Sequence, residues 1–577
     1  MTRLQTPSGD DQTIGGTKNI EKTNEKKIHS SDSSSTTFSS NTNIDGATSK
    51  DNDEAPTSEK DETTATEYPT GFRLFFILLA LGLSIFLASL DMTIVATAIP
   101  KITDEFRGLD KVSWYSTAFF MTNGGFQSSW GKAYKYFNLK FTFLASVFVF
   151  ELGSLICAVA RDSTTFIIGR AINGLGAAGI GTGSYTIIAF VAEPQKRASY
   201  TGIIGASYGI ASVIGPLVGG VFSDKVTWRW CFWINLPVGG LGAAIIILFF
   251  QTPSSARPVA ASWSEKLMQM DLIGACILVG ATLCYLLALQ YGGQSLPWDD
   301  KTVIGLLVGF VTIGAAFVGW EWRLHERAMI VPRLFKKRAI GMSTIFIFFF
   351  GGPYYLTIYY LPIYFQSVGG SSAIMSGVKN LPLILAVTIS MIVSGIFISA
   401  TGHGVPVMIF GSTLGVIGAG LLYTLDVDSS MGEWIGYQIL GGIGWGIALQ
   451  VPIIVSQASA AAQDISSVTA MILLFQCLGG TMFNSAAQAA FVNSMIRTLP
   501  GDIPGIDVQA VVQTGATEIR DVFSSSEVVG IVASYMTGLK LTFAIAIAGA
   551  GLGVVASVCN DYKRLGKEAV KDTGAVA

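Results

Sequence analysis

Histidine is scarce in this chain: three among 577 residues, His29, His325 and His403. All three fall in a tail or a predicted loop, which removes the usual metal-ligand and proton-shuttle clusters. The six cysteines, Cys157, Cys231, Cys276, Cys284, Cys477 and Cys559, form no close C-x-x-C pair. Neither a disulfide framework nor a metal site is expected from them. Charge is sparse too, at 13% of residues with a net of −2, so nucleic acid is not an expected partner. No nucleophile–base set appears, which argues against an enzyme. No charged n-region followed by an apolar h-region opens the sequence; a cleavable signal peptide is not expected, and the first spanning segment must itself direct the protein to a membrane. Large apolar residues are nearly missing from residues 1–70, which are rich in Ser, Thr, Asp, Glu, Asn and Lys. Such a composition cannot bury a core and predicts a disordered tail. Lys18, Lys22, Lys26, Lys27 and the run Ser30–Ser40 read either as regulatory sites or as plain solvated surface.

What remains is apolar. Half of the chain is hydrophobic, outside the usual composition of soluble domains. Fourteen segments have spanning length, near 74–98, 112–131, 141–160, 165–191, 200–222, 231–250, 272–290, 303–322, 341–365, 377–399, 405–425, 433–455, 466–492 and 539–558. The second is rich in Gly, Asn and Ser. Lys132, Lys135, Lys140, Lys196, Arg197 and the group Arg323–Arg338 fall on one side if the N-terminus is cytoplasmic, as do Lys563, Arg564, Lys567 and Lys571. The excess of Lys and Arg therefore places both termini inside. The pattern predicts an all-α membrane protein: a tail (1–70), a six-helix bundle (71–255), two extra spans with a cytoplasmic linker (256–338), a second six-helix bundle (339–560) with an extracellular loop at about 493–538, and a tail (561–577). Transporters built from paired bundles carry substrate between them, near the bilayer midplane.

Asp91 is the one charge in an apolar run of about 25 residues that begins near Leu74, long enough to cross a bilayer. A carboxylate there costs about 2.5–3.5 kcal/mol on insertion scales, so proton carriage, ion binding or pairing with a buried cation is expected of it. Arg170 lies inside the fourth segment, in Gly169-Arg170-Ala171-Ile172-Asn173-Gly174-Leu175-Gly176. A buried guanidinium needs a partner. Asp91 is the natural candidate, as a functional or a purely structural pair; backbone carbonyls of a neighbouring span are the alternative. The fifth segment carries Gly205, Gly209, Gly215, Pro216, Gly219 and Gly220. Glycines so spaced admit a neighbouring backbone, and Pro216 removes a hydrogen bond and favours a kink.

These strings resemble the major facilitator superfamily, and within it the fourteen-span drug:proton antiporters. The stretch Leu90–Pro100 is similar to that family's first-helix signature, R-x-x-x-G-x-G at Arg170–Gly176 to its proton-coupling motif, and G-P-x-x-G-G at Gly215–Gly220 to its antiporter motif. Gly131-Lys132-Ala133-Tyr134-Lys135 resembles its cytoplasmic gating loop. The strings Trp228–Pro237, Leu287–Gly293 and Tyr360–Gln366 look like fungal members, a branch that includes toxin and secondary-metabolite efflux pumps. One departure matters: Lys135 stands where the family has an Asp, so the usual acid–base latch is not expected to form in its standard way.

For a substrate site the candidates are aromatic and amide residues inside spans. They are Phe126, Gln127, Tyr364, Gln366, Gln450, Gln476 and Asn484, with Trp114, Tyr115, Phe119, Phe120, Tyr359, Tyr360, Phe365, Gln457 and Gln488 nearby in sequence. The resemblance implies a proton-coupled efflux pump for a small organic toxin, drug or metabolite. It would use Asp91 and Arg170 for coupling, need no cofactor beyond the proton gradient, act as a monomer, and reside in the plasma membrane or alternatively the vacuolar membrane. A proton-driven importer, such as a siderophore carrier, and a non-transporting nutrient sensor are the rival readings.

Overall fold

The structure is a computed structural model that describes residues 68–106, 112–514 and 518–565. The expected N-terminal tail, with its lysines and Ser/Thr run, lies almost wholly outside the described residues, as do Lys567 and Lys571. Among the described residues the regular structure is helical, apart from one bridge between Gly292 and Leu296.

The first bundle contains α1 (Gly71–Phe106), α2 (Val112–Gly125), α3 (Gln127–Tyr136), α4 (Leu139–Val159), α5 (Ser163–Val191), α6 (Arg197–Lys225), α7 (Trp230–Trp233) and α8 (Asn235–Phe249). A hairpin of α9 (Trp263–Gln269) with α10 (Leu272–Tyr291) and α11 (Lys301–Leu324) follows, then the short α12 (Pro332–Phe335). The second bundle contains α13 (Arg338–Ser367), α14 (Ala373–Lys379), α15 (Leu381–Thr401), α16 (Gly404–Tyr423), α17 (Met431–Ala448), α18 (Val451–Ala458), α19 (Ile465–Asp502), α20 (Val508–Gln513), α21 (Ile519–Val522) and α22 (Ser525–Val558). The bundles meet where α6 packs on α15 and where α2, α3 and α5 pack on α19; α10 leans on both α2 and α19.

Local chemistry sets where helices begin. Asn138 caps α4 by accepting from the amides of Lys140 and Phe141, and Asp162 caps α5 through the Thr165 amide. Ser430 with Glu433 and Ser524 with Glu527 form reciprocal capping boxes on α17 and α22.

Thirteen described segments are long and apolar enough to cross a membrane. The expected second span is the exception. It exists as α2 and α3, broken at Phe126 (φ −100°, ψ 6°), and its second half is too polar to match the others. The expected loop at about 493–538 also contracts. Helix α19 runs on to Asp502 and α22 starts at Ser525, because polar residues there remain helical. Thr498 Oγ1 donates to the Ser494 carbonyl within α19. The segment between them holds α20 and α21, pinned by the fully buried Val511 and Ile519.

Helix contacts in a bilayer rely on close approach rather than on a hydrophobic drive. At Gly153 on α4 a methyl group would strike the Asn173 backbone on α5, and at Gly176 on α5 it would strike the Phe150 backbone on α4. Gly153→Val should therefore destabilise the protein by about 1–3 kcal/mol through overpacking. Gly319→Val, at an open position on α11, should leave stability unchanged. Thermal unfolding in detergent, followed by tryptophan fluorescence, checks the pair.

Candidate functional site

The apolar α1 carries Asp91 to a fully buried position, and α5 brings Arg170, 1% exposed, against it. The Arg170 Nη1 donates to Asp91 Oδ2. Its Nε donates to the Tyr115 carbonyl of α2 at 3.0 Å, and its guanidinium carbon lies 4.5 Å from the Phe119 ring centre. Both partners that the sequence left open, an acid and a backbone carbonyl, are thus present together. Asn235 Nδ2, at the start of α8, donates to Asp91 Oδ1 at 3.3 Å and to Ser154 Oγ at 3.0 Å. Asn173, one turn along α5 from Arg170, donates to the same Ser154 Oγ at 2.7 Å and to the Phe150 carbonyl at 3.2 Å. One buried network joins α1, α2, α4, α5 and α8 around a single carboxylate. Sequence reading passed over Asn235 and Ser154, although an amide in the apolar run after Trp233 was the available signal.

A cavity of about 120 Å³ lies between the bundles. Helix α1 contributes Ser89 and Met92 to its wall, so Asp91 sits directly behind the lining. Gln127, Gln450 and Gln476 line it, together with Asn123, Tyr185, Tyr208, Tyr354, Tyr355 and Thr388, which the sequence did not single out. Tyr208 of one bundle and Tyr355 of the other meet edge to face, 6.1 Å between ring centres, and Gln476 Nε2 donates to the Tyr355 hydroxyl at 3.4 Å. Among the described residues that line the cavity, none is Asp, Glu, Lys or Arg.

Four expected substrate residues lie elsewhere. Phe126 packs among Ala275, Leu278 and Leu474, on the α10 side. Tyr364 donates to the Asp426 carbonyl at 2.9 Å, near the end of α13, and Gln366 donates to Ser376 Oγ at 2.8 Å. Asn484 is not part of the cavity wall. Residue type suggested these positions, but Phe126 packs on the α10 side, and Tyr364, Gln366 and Asn484 lie about two turns or more along their helices from the lining residues Tyr355 and Cys477.

The glycine string of α6 lies at two crossings. A methyl at Gly205 would meet Met391 of α15 and the Gln450 amide, and one at Gly209 would meet Thr388. At Gly215 it would meet Thr93 of α1, which itself donates to the Ala211 carbonyl at 3.4 Å. Gly219 is buried beside the half-buried Pro216 in the helix interior, whereas Gly220 faces open space.

At the end where α3 finishes, the two bundles are tied. Lys135 Nζ reaches Asp464 Oδ1, at the start of α19, at 2.8 Å, and Arg333 Nη2 reaches Asp464 Oδ2 at 3.0 Å. An acid–base pair therefore joins the bundles here, with the base on α3 and the acid on the other bundle. Lys132 Nζ donates to Gln269 Oε1 at 3.3 Å and to the Glu326 carbonyl. Gly131 lies under the Ser466 carbonyl, where a side chain would collide with Ala470. Gln457 Nε2 donates to the Tyr185 carbonyl at 3.2 Å, and Ser199 bonds Ser399 at 2.8 Å, adding further ties between the bundles. At the opposite end Glu105 accepts from Arg229 Nη1 at 3.0 Å and Trp228 Nε1 at 2.7 Å, and the Arg229 bond holds its carboxyl below the usual carboxylate range.

A like charge at the latch should part the bundles there. Lys135→Glu is expected to speed maleimide labelling of the cavity residue Cys477 about tenfold, equivalent to about 1.4 kcal/mol. Mass spectrometry of the labelled peptide reads this; an unchanged rate would mean that the latch does not hold this end shut.

A family model described as Major Facilitator Superfamily matches residues 81–483. The chain is 53% identical to the MFS-type transporter grgE of a Penicillium species, over 87% of this chain and 89% of that one. It is 50% identical to the probable efflux pump gsfJ of Penicillium aethiopicum, over 89% and 92%. The solved structure of the proton:xylose symporter XylE superimposes with a TM-score of 0.54 at 13% identity, covering 84% of this chain and 94% of that chain. A second structure of XylE, a double tryptophan variant, gives 0.59 at 12% identity, covering 87% and 99%. At these identities the two structures speak for the fold alone.

Proposed function

The chain belongs to the Major Facilitator Superfamily, and from that premise we propose that it is a proton-coupled exporter of an uncharged, partly aromatic small organic compound. The observation that carries this reading is a fully buried carboxylate, Asp91, paired with Arg170 one residue behind the wall of an uncharged cavity. Relatives named as efflux pumps support export over import. The tyrosine and glutamine lining suits a flat, apolar ligand with a few hydrogen-bonding groups.

In the state described here Arg170 and Asn235 satisfy the Asp91 carboxylate. Protonation removes the charge that holds Arg170 and frees α1 from α5. The change reaches the cavity through Ser89 and Met92, which lie on either side of Asp91 in sequence. The Gly215 and Pro216 region of α6, packed on Thr93 only two residues from Asp91, carries it on to the bundle crossing at Gly205 and Gly209. With the N-terminus cytoplasmic, as the distribution of Lys and Arg directs, the Lys135–Asp464 latch closes the cytoplasmic end. Protons then enter from outside, and substrate leaves as they pass inward. The plasma membrane is the proposed site, with both termini cytoplasmic and the single chain as the working unit.

Asp91→Asn should abolish uphill export, lowering it at least tenfold, while the variant folds and still binds ligand in the cavity. Proteoliposomes with an imposed pH gradient provide the measurement, using the uncharged dye Nile red beside a panel of uncharged aromatic compounds. Wild-type rates of uphill export in the variant would remove Asp91 from the coupling step.

A further inference from the structure

A second buried carboxylate lies close to the first. Glu151 stands in the middle of α4, inside the apolar segment 141–160, and both of its carboxylate oxygens are shielded from solvent with no hydrogen-bond partner. Oε1 lies against Gly239 of α8, where even a methyl group would displace it. Glu151 is three residues from Ser154, and Gly239 is four residues from Asn235, so each pair shares a helix face. The Glu151–Gly239 contact is thus one turn further along the same α4–α8 interface that holds Ser154 and Asn235 at Asp91. Because α4 ascends from the Lys135 end and α8 descends toward it, this turn lies nearer that end than Asp91 does. The other ionisable groups on elements packed against α4 are Arg170 and Tyr185 on α5, Cys231 on α7, and Lys132, Tyr134, Lys135 and Tyr136 on α3; α8 has none.

An ionised carboxylate without a partner is prohibitive in such a setting. Ser154 Oγ accepts from both Asn235 and Asn173, which leaves its own O–H hydrogen to donate. We infer that Glu151 is a second protonatable carboxylate on the proton route, one turn along α4 from Ser154, whose hydroxyl oxygen accepts from the same Asn235 amide that donates to Asp91. The step is balanced. The Asp91 acid loses a proton and becomes the carboxylate that Arg170 holds, while a Glu151 carboxylate gains one and becomes a neutral acid. Glu151 then gives it up toward the latch end when that end opens.

This inference rests on the proton-coupled reading above, and the test separates the two. Infrared difference spectra of the purified full chain in lipid, recorded through a pH series, should show two protonated-carboxyl signals. Glu151→Gln should remove one. Asp91→Asn should remove the other and move the midpoint of the Glu151 signal by at least about one pH unit, as interacting sites do. A Glu151 signal identical in wild type and Asp91→Asn, or no signal lost in Glu151→Gln, overturns the proposal. In proteoliposomes driven by a pH gradient, with Nile red as the probe, Glu151→Gln should export at least fivefold more slowly, and Glu151→Asp should recover part of the rate with a displaced pH profile. Uphill export that survives Asp91→Asn defeats the broader reading. Export that stops in Asp91→Asn but keeps its wild-type rate and pH profile in Glu151→Gln defeats only the role of Glu151. If Glu151→Gln fails to fold, an unchanged pH profile in Glu151→Asp overturns the role instead.

Discussion

The ion pair between Asp91 and Arg170 is the constraint around which the first bundle is arranged. Two charges taken out of water are stabilised only if their remaining hydrogen-bonding capacity is met. Asn235, the Tyr115 carbonyl and the Phe119 ring supply that here. Asn235 comes from α8 and the other two from α2, so α1, α2, α5 and α8 are fixed in relation to one point. Removing one partner of such a pair is costly, about 3–5 kcal/mol. On the proposed proton-coupled reading, that penalty would let a proton arriving at Asp91 reset the packing of several helices at once.

Among the described residues the second bundle has no equivalent cluster behind the cavity wall. It contributes neutral groups, Tyr354, Tyr355, Gln450 and Gln476, and helix surfaces against which the first bundle can move. Small residues make this possible. Gly205 and Gly209 let side chains of the second bundle, Met391, Gln450 and Thr388, lie directly against the α6 backbone at the bundle crossing. The ion pairs of Lys135 and Arg333 with Asp464 are confined to one end. Charge therefore fastens that end, the cavity lining is uncharged, and the Asp91–Arg170 pair is hidden one layer behind it.

Much of this was legible in the sequence, for a physical reason. A membrane helix declares itself by apolar length, and a charge inside it stands out; this is why Asp91 and Arg170 were found and shown to touch. The same reasoning applied to Glu151, which was missed because a single acid among phenylalanines and leucines in α4 was read through as part of the run. The second span was hard to read because the residues that carry its work, Gln127 through Lys135, are polar. Helix ends at Asp502 and Ser525 were misplaced because polar residues in a capped or extended helix resemble a loop in composition. The partner of Lys135 was out of reach: Asp464 lies 329 residues away in the chain, and only the docking of two bundles brings them together. Tyr364 and Gln366 failed as cavity residues for a related reason, since residue type says what a side chain can do and only packing says how far along its helix the cavity extends.

The central claim is that Asp91 and Arg170 act as one unit in coupling. A double-variant cycle tests it most directly, with export measured across a pH series in membrane vesicles for Asp91→Asn, Arg170→Ala and the combination. Groups in one network show strong coupling, about 0.5–3 kcal/mol. The account predicts that the combined variant is scarcely worse than Asp91→Asn alone and that Arg170→Ala displaces the pH optimum. Additive losses with an undisplaced optimum would contradict it, leaving Arg170 as an anchor for the α2 backbone.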